Sequence, residues 1–239
     1  MGTSNSYDAP TNPPWPDLKR RVSNLAQKGR LTRSSAREIV YNFIAVHGGP
    51  KQMAGGSGGR NAQNVAHNIA RFISSVEVLG LQDTLRQEGL ENLIGKSVNE
   101  ISLTLIDYLG RHASTIDEVD ARNALSRLMN ELLEGAENLE DIERVLETKS
   151  QQSELETLLI KFFGYYIFEQ FCRVFYERLT ARVGENQAEM FLDGILDYII
   201  SALRHKTFNK DVSTINWRGE QGKAVTSEIL LETLDVFGN

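Results

Sequence analysis

Residues 153–181, SELETLLIKFFGYYIFEQFCRVFYERLTA, constrain the fold more than any other part of the chain. Between Phe162 and Tyr176 they place eight of the nineteen aromatic residues within fifteen positions, and apolar side chains fall on nearly every helical face. A helix that is apolar all round cannot be satisfied at a surface. The stretch therefore predicts a buried helix, about 43 Å long at ~1.5 Å per residue, with other helices packed around it. It does not read as a membrane span: Lys161, Glu169, Arg173, Glu177 and Arg178 interrupt it, and its longest uncharged run is seven residues. A bilayer asks for about 20. Gly164 sits among the rings at a cost of about 1 kcal/mol in helix propensity, which predicts either close backbone approach or a kink.

The remainder supplies helices to surround it. Residues 1–16, MGTSNSYDAPTNPPWP, hold four of the five prolines and almost no aliphatic side chains, so they read as an extended or disordered arm that cannot fold alone. Trp15 is its exception, an indole suited to anchoring in a groove of this chain or of a partner. From residue 17 to 239 only Pro50 recurs and helical periodicity dominates, which predicts an all-α fold: one irregular multi-helix domain bundled around the aromatic helix. Ser35 with Glu38, Ser97 with Glu100 and Thr115 with Glu118 read as capping boxes, and Asn138 as a further cap. Residues 48–59, GGPKQMAGGSGG, read as a glycine-rich hinge or partner-ordered loop, leading into a helix whose Ala62, Ala66 and Ala70 form a ridge for close packing. Residues 210–217, KDVSTINW, carry the best extended pattern in the chain.

Charge and motif content narrow the function. A net charge of −6 argues against a general nucleic-acid binder. Seven basic and no acidic residues between Lys19 and Arg37, and twelve acidic against four basic between Asp117 and Glu156, read as solvated helix faces. No leader or long apolar run points to export or a membrane, so the cytoplasm is the expected compartment. The glycine-rich segment lacks a preceding strand, GK[ST] and G-x-G-x-x-G, which argues against a phosphate-binding loop. His47, His67, His112 and His205 are scattered without metal-ligand spacing, and Cys172, the single cysteine, lies in the aromatic helix. No metal, no cofactor and no catalytic residue is expected. The residues alone reach an all-α adaptor, with a helical enzyme as a weaker alternative.

Several stretches together carry a resemblance: MGTSNSY at the start, the proline-rich arm, GGSGGRNA opening an alanine-rich helix, YYIFEQF in the core helix and INWRGEQG near the end. The chain resembles the QatB family of the bacterial Qat anti-phage defence system over nearly its whole length. That resemblance implies a non-enzymatic component working beside a P-loop ATPase, a TatD-like nuclease and a QueC-like enzyme, with room for an oligomeric complex. For the QueC-like partner it implies that an activated 7-carboxy-7-deazaguanine is delivered to a protein amine.

On that implication the expected acceptor is Gly2, exposed once Met1 is removed. An α-amine with a reference pKa near 7.7 to 8.0 is roughly a tenth or more neutral at pH 7, far more than a lysine near 10.4, and glycine is the least hindered such amine. Thr3 and Ser4 are expected to set register with short hydroxyls, and Trp15 to serve partner recognition. The pattern M-G-x-x-x-S through Ser6 also fits N-myristoylation, which the lack of a polybasic run beside the glycine disfavours. The rival reading is an adaptor that couples the ATPase to the nuclease without being modified.

Overall fold

The computed structural model of the chain describes residues 14–110, 116–207 and 215–238. Among them are eleven α-helices, one short 3-10 turn and no strand. In chain order these are α1 (Trp15–Gln27), α2 (Arg33–Val46), α3 (Pro50–Gly55), α4 (Ser57–Leu79), α5 (Leu81–Gln87), α6 (Val98–Gly110), α7 (Ile116–Leu132), α8 (Leu139–Ser150), α9 (Gln152–Val183), α10 (Glu185–Leu203) and α11 (Glu220–Gly238), with the 3-10 turn at Glu91–Leu93. The all-α expectation holds. The arm at residues 1–13 and most of the extended stretch, through residue 214, lie outside the described residues; Ile215 to Trp217 form coil and turn.

Helix α9 is the axis. Every residue from Phe162 to Phe171 is buried, and α7, α10, α1, α4, α8 and α11 all pack on it. Over that central stretch no face is left for water, which is what its all-round apolar pattern requires, while Tyr176, Glu177 and Arg178 nearer the C-terminal end are exposed. The helix runs unbroken through Gly164, so of the two readings of that glycine close approach is the one realised. A β-carbon there would meet Leu203 Cδ1 at 2.8 Å and Ile200 Cδ1 at 3.3 Å, and the missing side chain lets α10 lie close. Gly184, at φ +84°, turns the chain from α9 directly into α10.

Helix starts follow local hydrogen bonding, with one correction. The box expected at Ser35 and Glu38 is instead formed by Thr32 and Ser35: Ser35 N donates to Thr32 Oγ1 at 3.2 Å and Thr32 N to Ser35 Oγ at 2.9 Å. Glu38 is a turn further on and pairs with Arg21 of α1. Ser97 and Glu100 exchange bonds as expected, Ser97 N donating at 3.1 Å and Glu100 N at 3.3 Å. Asn138 accepts from Asp141 N at 2.9 Å. Thr115 lies outside the described residues.

The glycine-rich segment is not the expected hinge. Most of it is helix: α3, a bend at Gly56, and the first turn of α4, with Gly58 and Gly59 buried. A β-carbon on Gly59 would stand 2.2 Å from the Ala54 carbonyl oxygen and 2.4 Å from that of Met53, so glycine is required for the two helices to touch backbone to backbone. Ala62, Ala66 and Ala70, each fully buried, continue the same close approach along α4.

Two stability outcomes are expected. Phe171→Ala, which empties a fully buried site facing Phe43 at 5.3 Å between ring centroids and Phe175 at 4.5 Å, costs about 3 to 5 kcal/mol. Gly59→Ala costs about 1 to 3 kcal/mol by overpacking, whereas Gly55→Ala, whose β-carbon meets nothing within 4 Å, leaves stability unchanged or slightly raised. Chemical denaturation of the three variants checks this; equal midpoints for Gly59→Ala and Gly55→Ala would remove the packing account of the glycines.

Candidate functional site

The described chain begins at the root of the arm. Pro14 is exposed, and Trp15 opens α1 with Pro16 in the first turn, where a missing N–H costs nothing. The indole of Trp15 is only 4% exposed. It stands edge-on to His47 at 4.9 Å and to Phe43 at 6.4 Å, and Phe43 in turn touches Phe171 and Phe175 of α9. Of the two grooves open to Trp15, it fills the one in its own domain. Beside it, Pro14, Leu18, Arg21, Glu38, Asn42 and Val46 line an open groove of about 320 Å³ between α1 and α2, at the start of the described chain. Gly2, Thr3 and Ser4 lie outside the described residues.

His47 completes the root. Its Nδ1 lies 2.7 Å from the Phe43 carbonyl oxygen, to which it donates when it carries the proton. Burial holds the imidazole below its ordinary value near 6.5, the hydrogen bond to Phe43 works in the opposite direction, and the charge of Arg173 lowers it further. His67 is also lowered, first by burial, and packs beneath the turn that carries Trp217. His205 is exposed and His112 lies outside the described residues.

Other titratable groups are committed to helix contacts. Between α7 and α9, Arg173 pairs with Asp120 at 2.9 Å with both side chains largely buried. Arg127 pairs with Glu169 and lies 4.9 Å over the ring of Phe168. Glu131 accepts from Lys161 and from Tyr165. Composition hides this seam, because each member reads as one more surface charge; only the placing of Glu169 and Arg173 in the aromatic middle of the helix signals it. Burial, and then the nearby Glu169 carboxylate, push the Cys172 thiol well above its usual range, so the sulfur is a poor nucleophile. Among the described residues no three His, Cys, Asp or Glu side chains are grouped to hold a metal, and no helix is long and apolar enough to cross a membrane.

The charge blocks lie on outer faces. Lys28, Arg30, Arg33 and Arg37 are exposed on and between α1 and α2, beyond the C-terminal end of α9, where Gln187 donates to the Ala26 carbonyl at 2.7 Å. Glu134, Glu137, Glu140 and Glu147 are exposed around the α7–α8 turn, near the N-terminal end of α9, where Lys149 bonds Glu154 at 2.6 Å. Asp120 and Glu156 depart from the solvated-face reading and are buried.

Compared with models of known protein families, residues 48–237 match the family described as QatB, Qat anti-phage system associated protein QatB. The match starts after α2 and takes in α3 to α11. No curated protein and no solved structure matches the chain.

The depressed imidazoles make the fold sensitive to acid. In the unfolded chain His47 and His67 take up protons near pH 6.5, while in the folded chain they do so only lower, so below about 6.5 the unfolded state binds more protons. Stability is therefore expected to be flat above pH 7, to fall as pH drops from about 6.5 through the folded values, and to level off beneath them. Melting curves between pH 8 and 5 check the sign. His47→Gln is expected to flatten the slope without abolishing it, since His67 acts in the same direction; an unchanged slope would remove His47 from the account.

Proposed function

As a member of the QatB family the chain belongs to an anti-phage defence system, and from that premise we propose that it is the binding partner and protein substrate of a QueC-like enzyme, with the α-amine of Gly2 as acceptor. In this reading the Gly2 nitrogen forms an amide with the carboxyl carbon of an activated 7-carboxy-7-deazaguanine. The activating group leaves with its bonding electrons, and the amine proton passes to a base of the partner. The body takes no part in that chemistry. It is a non-enzymatic, cytoplasmic docking unit, and its partners are the QueC-like enzyme together with the ATPase and TatD-like nuclease that the family resemblance implies.

The observation that carries the reading is the seat of Trp15. An arm held to the core at its last residues has a fixed origin, so everything upstream of Pro14 is presented from one point on the surface. At roughly 3.3 to 3.6 Å per residue, the amine of Gly2 reaches no further than roughly 40 Å from Pro14. Binding of the body then makes capture of the amine intramolecular, with an effective concentration set by arm length. The buried indole also bears on the adaptor alternative, because a partner cannot grip Trp15 while the side chain is packed on Phe43 and His47.

After co-expression with an active QueC-like partner, intact-mass analysis is expected to show loss of Met1 and a deazaguanine-sized addition confined to the N-terminal peptide, with lysine peptides unchanged. Replacing Gly2 by a bulky residue is expected to block both steps while docking survives. Deleting residues 5–10 shortens the reach by roughly 20 Å and is expected to abolish modification with docking intact. Thr3→Ala and Ser4→Ala lose at most a hydrogen bond or two, at about 0.5 to 1.5 kcal/mol each, and weaken the reaction less. An unmodified N-terminal peptide beside active partner, or full phage protection by the Gly2 variant, would leave the adaptor reading as the better account.

A further inference from the structure

A second surface, remote in sequence from the arm, has features that the modification reading leaves unused. At the C-terminal end of α4, Val78 is 78% exposed and its neighbour Leu79 is 41% exposed. They border an open groove of about 300 Å³ between α4 and the turn that follows Ile215, within the INWRGEQG stretch. The residues lining it include Arg71 and Arg218 and no acidic side chain, in a chain whose net charge is −6. The two arginines differ. Arg71 is neutralised, bonding Glu88 at 2.9 Å and Tyr108 at 3.1 Å. Arg218 rests on neutral oxygens, Ser75 Oγ at 3.3 Å and Gln87 Oε1 at 3.2 Å, and no carboxylate among the described residues forms an ion pair with it.

The guanidinium is also held in place. Arg218 N donates to Asn216 Oδ1 at 3.1 Å and Gly219 N to the Asn216 carbonyl at 3.1 Å, which fixes the turn. The turn sits on buried Trp217 and packs against His67 through Gly222, where a β-carbon would come within 3.0 Å of both His67 Cδ2 and Trp217 Cα. A pre-set cation over neutral acceptors, beside two exposed aliphatic side chains, loses little freedom when it binds.

We propose that this groove docks a linear peptide segment of a partner protein, which presents a carboxylate to Arg218 and lays a neighbouring aliphatic side chain on Val78 and Leu79. Charge complementarity selects the acid, since a guanidinium is the side chain that meets a carboxylate with two parallel hydrogen bonds. The exposed aliphatic pair selects the apolar neighbour. A nucleic-acid backbone is the poorer fit: one cation with no ion-pair partner among the described residues neutralises about one phosphate, and Val78 and Leu79 offer a phosphate nothing. A volume of 300 Å³ lies at the small end for a ligand pocket and suits one or two side chains.

The test is selection of a displayed library of random linear peptides on the intact protein, followed by titration of the best synthetic peptide against a Trp15→Phe background, in which Trp217 alone reports by emission. Expected are a consensus that pairs Asp or Glu with a neighbouring Leu, Ile, Val or Met, a saturable emission change, and affinity weakened about tenfold or more by Arg218→Gln and severalfold by Val78→Ser. Both substitutions are at exposed positions, and an unchanged melting temperature shows that each variant is folded. A consensus without an acid, or equal affinity for wild type and folded Arg218→Gln, overturns the proposal. So does displacement of the peptide by a single-stranded oligonucleotide. Self-association of the wild type that Arg218→Gln dissolves would give the groove to a second copy of the chain and likewise overturn it.

Discussion

The structure depends on burying one helix on every side. A helix with rings on all its faces, about 48 Å long at ~1.5 Å per residue for the span of α9, cannot be covered by one neighbour or by a flat layer. It needs a sheath, and the other helices form one: α7 and α10 run along it, while α1, α4, α8 and α11 close the remaining faces. Positions that look like defects in the axis serve this end. Gly164 leaves room for Leu203 and Ile200 of α10, and Gly59 and the alanine ridge of α4 do for the sheath what Gly164 does for the axis.

Burying the middle of α9 on every side brings charged residues inside, and the α7–α9 contact shows how they are accommodated. Asp120 with Arg173, and Glu169 with Arg127, place each buried carboxylate against a guanidinium on the facing helix. Such pairs add little net stability, since desolvation offsets most of the attraction, but leaving either member alone would cost several kcal/mol. Their value here lies in register: sliding α7 along α9 by one turn would strand both carboxylates. The same burial that forces the pairs together raises the Cys172 thiol, so the single cysteine is made inert by the packing that surrounds it.

The start of α1 and the core meet through the same aromatic set. Trp15, His47 and Phe43 continue the ring contacts outward from Phe171 and Phe175, so the first turn of α1 is tied to the axis of the molecule. Membership of the QatB family places the chain in an anti-phage system. The Arg218 groove is separate from that root in sequence and in the helices that build it, which gives the body a second means of contact independent of the arm.

Much of this was legible before any coordinates. The all-round apolar face of residues 153–181, the single proline after residue 17, the cap at Asn138 and the reciprocal Ser97–Glu100 box each follow from periodicity or local hydrogen bonding, interactions that span only a few residues. Sequence could not decide which of two physical uses a residue served when the choice rested on a distant neighbour. Glycine gives flexibility or close approach, and the 2.2 Å that a β-carbon on Gly59 would leave to Ala54 is what makes a hinge-like segment a packed helix junction. Trp15 could grip a partner or its own core, and only the placement of Phe43 and His47 settles it inward. Ser35 fits a box with Glu38 equally well on paper, but Thr32 and Arg21 claim the two residues separately. Glu169 and Arg218 are both charged residues; one is buried against Arg127 and the other borders a groove beside exposed Val78 and Leu79, because burial is a property of the assembled helices and not of the residue.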